Sequence, residues 1–267
     1  MNEYPPCDHP YDGWFVDDVP LDSQGFLVAS FVDAAPARRG ENLTIARAPG
    51  ARWRQKYYQQ RRQQIVVWAL KDDRFGNVLG GGERNVDRLK RLFGGGLKQV
   101  ELTRRLTLPF ERVSTRTALV ELVDAMEGRR TALTQTGVYT QFSLDLEFAD
   151  PFWFEPVNVA TVDGSAVLWN PGTVTSRNPV VRIFGPAVEP TITWEPTGTT
   201  LTYDGTIDYG DFVEIDGQEF TAVTDAGVSV AGNIDRAQVE LFEIAPGRNE
   251  VTLSDGTADI SWRPAFL

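Results

Sequence analysis

Apolar and polar residues alternate along much of this chain, and the repeat is two residues far more often than the 3.6 of a helix. The cleanest run is residues 141–148 (QFSLDLEF), which puts Phe142, Leu144, Leu146 and Phe148 on one face of a strand. Val100 with Leu102, and Ala118 with Val120 and Leu122, repeat the pattern. Residues 25–32 (GFLVASFV) and 65–70 (IVVWAL) also read as strands. One helix is predicted between the glycine runs at 80–82 and 94–96. Asn85 is placed to cap its start, Val86, Leu89 and Phe93 fall on one face, and Gly94 can end it. A helix of about two and a half turns needs a sheet to pack on.

Beyond residue 150 only strand signals remain, at 180–184, 191–194, 212–220, 239–244 and 249–262. Asp216-Gly217 and Asp255-Gly256 read as two-residue hairpin turns, because both turn positions need positive φ. Short strands with turns about ten residues apart predict a β-sandwich. Prolines interrupt the pattern at residues 150–156 (DPFWFEP), and residues 1–24 are acidic, Pro-rich and poorly periodic. The expected fold is mainly β: an arm at 1–24, a mixed β-domain with one short helix at 25–156, and an antiparallel β-sandwich at 157–267.

Composition narrows the chemistry. The 267 residues are 42% hydrophobic, enough for one or two cores. No apolar run approaches the roughly 18 residues of a membrane span, and the acidic start is unlike a signal peptide. The expectation is a protein made in a cytoplasm, with no membrane insertion. A single cysteine, Cys7, excludes an internal disulfide framework, and a single histidine, His9, leaves little for a zinc site. A Ser-His-Asp triad would have to use His9, and a Cys-His pair only Cys7 with His9. No catalytic, metal or cofactor-binding residues are therefore expected, and no cofactor.

The net charge of −11 is uneven. Residues 1–150 hold 21 Lys/Arg against 20 Asp/Glu, whereas residues 151–267 hold 5 against 17. All 21 early basic residues lie between Arg38 and Arg130. Among them is a cluster rich in aromatics: Arg52, Trp53, Arg54, Lys56, Tyr57, Tyr58, Arg61 and Arg62. Arg, Trp and Tyr are enriched in subunit-interface cores, so these eight are interface candidates. A solvated face, or phosphates bound by arginine with bases stacked on the rings, are the other readings. An acidic chain without nucleic-acid motifs argues against the last. The glycine runs match neither a P-loop nor a dinucleotide fingerprint. Asp204, Asp208, Asp211, Glu214 and Asp216 fit turns better than a calcium loop or a glycosidase pair. Asn42-Leu43-Thr44 fits a glycosylation pattern, without consequence in a chain that lacks a secretory signal.

A resemblance enters at the junction. The strand ending in Phe148, followed by Asp150-Pro151-Phe152-Trp153-Phe154, is similar to the strand and "DP-aromatic-W-aromatic" that close the first domain of phage distal tail proteins. Arg177-Asn178-Pro179 leading into Val181-Arg182-Ile183-Phe184-Gly185 resembles the family's entry into its second domain. Val213-Glu214-Ile215-Asp216-Gly217 resembles its hairpin. The stretch from Phe242 through Pro246-Gly247-Arg248-Asn249 to Val251 resembles its "F-x-L-x-P-G-x-N-x-I". Trp262-Arg263-Pro264-Ala265-Phe266 is similar to an ending common in tail proteins of actinobacterial phages. These matches span residues 142–267 and follow the family's order.

The resemblance implies a structural virion protein at the tail tip. Residues 25–156 would be a belt domain closing into a homohexameric ring, and 157–267 a galectin-like sandwich projecting outward. The ring would join the tail tube protein to the tip hub protein of the baseplate, with the tape-measure protein in its lumen. A different reading makes the sandwich a carbohydrate-binding module for the host wall, with Trp169, Trp194 and Tyr203 as candidate stacking residues.

Overall fold

The computed structural model describes residues 13–21, 25–32, 35–39, 43–44, 51–52, 57–70, 82–94, 98–107, 113–124, 126, 128–129, 139–177, 179–195, 197–235, 238–239 and 242–267. The chain is mainly β and divides into two compact units, Met1–Trp153 with Leu267, and Phe154–Phe266.

The first unit is built on an antiparallel sheet. Its strands run in the order Val19–Pro20, Gly13–Val16, Val100–Thr107, Val113–Leu122, Tyr139–Phe148, Arg62–Leu70 and Phe26–Phe31. The register stacks the alternating apolar residues into rows: Val16 beside Leu102 and Ala118, Val100 beside Val120 and Phe148, Leu144 beside Ile65. All of these are buried, as the period-two pattern requires.

The helix Gly82–Leu92 packs on Arg62–Leu70 and Tyr139–Phe148 with Val86, Leu89 and Phe93 buried beneath it. Gly94 follows at φ +58, the left-handed residue that ends a helix. The start differs from expectation. Asn85 lies inside the helix, buried, and its amide donates to the Leu70 carbonyl at 2.7 Å. A side chain tied to the neighbouring strand is not free to cap its own helix.

The N-terminal lead-in also needs correction. Residues 13–20 are not an arm but a hairpin on the sheet, with Val16 opposite Val19 and a turn of Asp17 and Asp18 at φ 45 and 62. Aspartate tolerates the left-handed region and so makes a two-residue turn without glycine. Trp14, Val16 and Leu21 are buried in this segment.

The second unit is sandwich-like. Its centre is the long antiparallel pair of Asn158–Asn170 with Gly247–Trp262. The register breaks where Asp163 opposes Thr257 but Ser165 opposes Thr252. On one side of this break the long strand pairs with Thr191–Trp194, on the other with Val180–Phe184. The two wings enclose a core that includes Val162, Leu168, Ile183, Trp194, Ile215, Phe242 and Ile260.

Both expected Asp-Gly turns are something else. Asp255-Gly256 sits inside the continuous strand at the register break, with Gly256 at φ +77. A Cβ there would stand 2.6 Å from the Phe184 carbonyl oxygen, so glycine permits both the bend and the close approach. At Asp216 the paired residues are Asp216 and Thr221, leaving a four-residue loop in which Phe220 takes φ 54. Residues 239–244 do not form one strand. Val239 N–H donates to the Asp235 carbonyl at 3.3 Å in a turn, and only Glu243–Ile244 is extended.

Candidate assembly surfaces

The described residues of the basic aromatic segment do not all face one way. Arg52 lies in the short strand Ala51–Arg52, paired with Leu43–Thr44, while Trp53, Arg54 and Lys56 lie outside the described residues. Tyr57 and Tyr58 pair with Arg39 and Arg38. The Tyr58 ring meets Phe152 edge-on at 5.2 Å, and the Arg38 guanidinium lies 6.0 Å from its centroid. Arg61 turns inward and is 1% exposed, its guanidinium 5.3 Å from the Phe148 ring and its Nη1 donating to the Pro151 carbonyl at 3.5 Å. That burial removes Arg61 from the surface candidates. Arg62 faces the other way and pairs at 2.5 Å with Glu147, its partner in the register.

A surface not singled out from sequence is the outward face of the first sheet. Trp68 and Tyr139 stack there at 4.5 Å with planes 21° apart. Leu27 sits opposite Trp68, and Leu119 lies on the same face, 52% exposed. The signal was present in residues 65–70. Ile65, Val67 and Ala69 face the core, while Val66, Trp68 and Leu70 face outward. A strand apolar on both faces is normally covered on both. Elsewhere on the sheet, aromatics are flanked by guanidinium groups: Arg104 lies 5.2 Å from the Trp14 ring, and Arg105 lies 4.5 Å from Phe15.

Two of the acidic candidates serve local structure. Asp216 Oδ1 accepts the Gln218 and Glu219 N–H groups at 2.7 and 3.0 Å, and Glu214 pairs with Arg182 at 2.5 Å. Among the described residues, no three His, Cys, Asp or Glu side chains gather as a metal ligand set. Cys7 and His9 lie outside those residues. The three aromatics suggested for sugar stacking do not share a face. Trp194 and Tyr203 are in the core, Trp194 edge-on to Phe242 at 5.1 Å, while Trp169 is 62% exposed. A depression beside Tyr203, lined by Thr202, Asp204, Asn233, Asp235 and Gln238 among others, has no aromatic in its wall.

Comparison with solved structures decides the architecture. The crystal structure of SPP1 Dit (gp 19.1), described as a paradigm of hub adsorption apparatus in Gram-positive infecting phages, aligns with a TM-score of 0.70 and 17% identity. The alignment covers 96% of this chain and 99% of that one. The fold is that of a phage distal tail protein. The phage P2 baseplate in its activated conformation with Ca aligns over 95% of this chain and 98% of that one at 10% identity, with a TM-score of 0.47. No family model matches the sequence, nor does any curated protein.

Within the distal-tail fold, the residues that carried the resemblance hold joints together. Asp150 Oδ1 accepts the Phe152 N–H at 3.3 Å, and Trp153 is buried edge-on to Phe148 at 5.2 Å. Asn249 stitches its turn, donating to the Ala245 and Gly247 carbonyls at 2.8 and 3.0 Å and accepting the Ala245 N–H at 3.1 Å. Gly247 takes φ +88 at the same place. At the terminal motif, the Pro264 carbonyl accepts from Glu155 N–H at 3.0 Å, and Arg263 lies 5.0 Å from the Phe154 ring. Asn170, buried, donates to the Ile244 carbonyl at 2.9 Å and accepts from Gly172 N–H at 2.9 Å.

Proposed function

We propose that this chain is a structural subunit of a phage tail tip, made in the host cytoplasm and carried in the virion. Six copies close into a ring through their first units, and the ring joins the tail tube to the tip hub around the tape-measure protein. The second, galectin-like unit projects from the ring. The observation that carries this reading is the alignment with a hub protein over nearly the whole of both chains. The cluster of Trp68, Tyr139 and Leu27 on the outward face of the first sheet supports it, because subunit contacts are built on such aromatic and apolar groups. A ring needs one patch to meet a different patch on the next copy, which a basic stretch between Arg38 and Arg130 and an acidic 151–267 favour.

No catalytic role is proposed, since the chain has one histidine and one cysteine from which to build one. Sugar binding lacks a comparable observation: of its three candidate aromatics only Trp169 reaches the surface. Negative-stain electron microscopy of the purified chain tests the proposal. Rings with six peripheral knobs are expected; isolated bilobed particles at every concentration would overturn it.

A further inference from the structure

Of the three aromatics considered for stacking, Trp169 alone lies at the surface, and its neighbours add to what the ring offers. It sits near the end of Asn158–Asn170, an edge strand that among the described residues pairs on one side only, with Gly247–Trp262. Alternation with buried Leu168 and Asn170 turns the indole outward, 62% exposed, whereas the unit's other tryptophans, Trp194 and Trp262, are buried. An indole left in water presents a broad apolar plane with a polar edge, the kind of surface that ligand sites use.

The same face carries polar groups that are held in place. Arg248 stands directly across from Trp169, and Glu250 across from Val167. The two are ion-paired side by side, their side chains 63% and 49% exposed. Glu195 joins them: its N–H donates to the Glu250 carbonyl at 3.1 Å, and its carboxylate accepts from Thr252 Oγ1 at 3.0 Å. A guanidinium has five N–H donors and a carboxylate about four acceptor positions, so one partner each leaves capacity for a ligand. Residues directly across are about 5 Å apart and alternate residues along a strand about 7 Å, the scale of one sugar ring.

We infer that this face binds a neutral carbohydrate built of pyranose rings with equatorial hydroxyls. The axial C–H groups of one ring lie flat on the Trp169 indole. Its hydroxyls donate to Glu250 and Glu195 and accept from Arg248, taking the place of water at each. Two carboxylates against one guanidinium disfavour an anionic sugar. A protein partner would bury these three charges without replacing their water, which the hydroxyls of a sugar do. Binding there is a property of the second unit and does not depend on whether the first units form a ring.

Saturation-transfer NMR on the full chain tests this with cellotetraose and tetra-N-acetylchitotetraose as neutral probes and tetragalacturonate as an anionic one, each at millimolar concentration. Transfer to the ring C–H protons of at least one neutral probe is expected, and none above background to tetragalacturonate. Trp169→Ala, at an exposed site, should cut the transfer about tenfold while the melting temperature stays put, the effect of losing one aromatic contact. Arg248→Ala should weaken it by a smaller factor. No transfer to either neutral probe, comparable transfer to tetragalacturonate, or transfer that survives Trp169→Ala would overturn the inference. Full transfer in Arg248→Ala would overturn it as well, because the polar groups would then have no part in binding.

Discussion

The two units cover their sheets differently. The second closes the strands flanking its long antiparallel pair over one core, and Trp194, Tyr203, Phe242 and Trp262 lie inside it. The first packs a helix on one face of its sheet, and among the described residues the other face carries Trp68, Tyr139 and Leu119. Charge follows the same division, 5 basic residues against 17 acidic in 151–267, whereas the early basic residues fall between Arg38 and Arg130. Like charge on the 151–267 units disfavours contact between them, whereas outward-facing aromatic and apolar residues of the first unit, such as Trp68 and Tyr139, favour contact. The difference supports the proposal that copies meet through the first unit.

That contrast makes its strongest prediction in the second unit's core. Trp194→Ala removes a side chain 2% exposed and should cost the second unit about 3–5 kcal/mol. Calorimetry should show only that unit's transition falling; an equal fall in both would break the picture of two separate cores. Gly256→Ala comes next, at roughly 2–3 kcal/mol, from the strain of φ +77 and the approach to the Phe184 carbonyl. Chemical denaturation followed by Trp fluorescence would check it, and a neutral result would mean the long strand does not bend there in solution.

Smaller effects probe the first unit. Asn85→Ala leaves the Leu70 carbonyl without its amide and should cost about 1–2 kcal/mol, read as faster amide exchange in the helix Gly82–Leu92. The least is expected at Asp17. Partial burial raises its carboxyl, but the Lys98 ammonium at 2.8 Å, the Glu101 N–H at 2.9 Å and the Lys98 charge together outweigh it and hold it below the ordinary 3.8. A lowered folded pKa stabilises the fold above that unfolded value and is lost as pH falls through the folded one. Asp17→Asn should therefore cost about 0.5 kcal/mol at pH 6, typical of an exposed pair, with the gap from wild type closing below about pH 4. A gap that persists at pH 2.5 would assign the effect to the turn instead.

Much of this architecture was legible in the sequence where one face of a strand is polar. Residues 141–148 alternate cleanly and fall within Tyr139–Phe148, and residues 180–184 and 191–194 match their strands. The long edge strand was missed because its outward Val159, Val167 and Trp169 are as apolar as its inward Val162 and Leu168, so alternation vanished. The strand's register also breaks at Asp163-Gly164-Ser165, where Gly164 takes φ +68. Asp255-Gly256 misled for a related reason: Asp-Gly marks positive φ, and a bulge needs that as much as a hairpin does. The interface candidates were picked by composition, which cannot tell that Arg61 turns to the core while Arg62 turns out. The apolar outward face around Trp68 was written in residues 65–70, but a both-sided apolar strand signals only that something covers it.

Native mass spectrometry of the wild-type chain beside a Trp68→Glu, Leu119→Glu variant bears most directly on assembly through that face. The account predicts six copies for the wild type and a monomer with unchanged circular dichroism for the variant. A wild type that stays monomeric across the micromolar range, or a variant that keeps six copies, would contradict it.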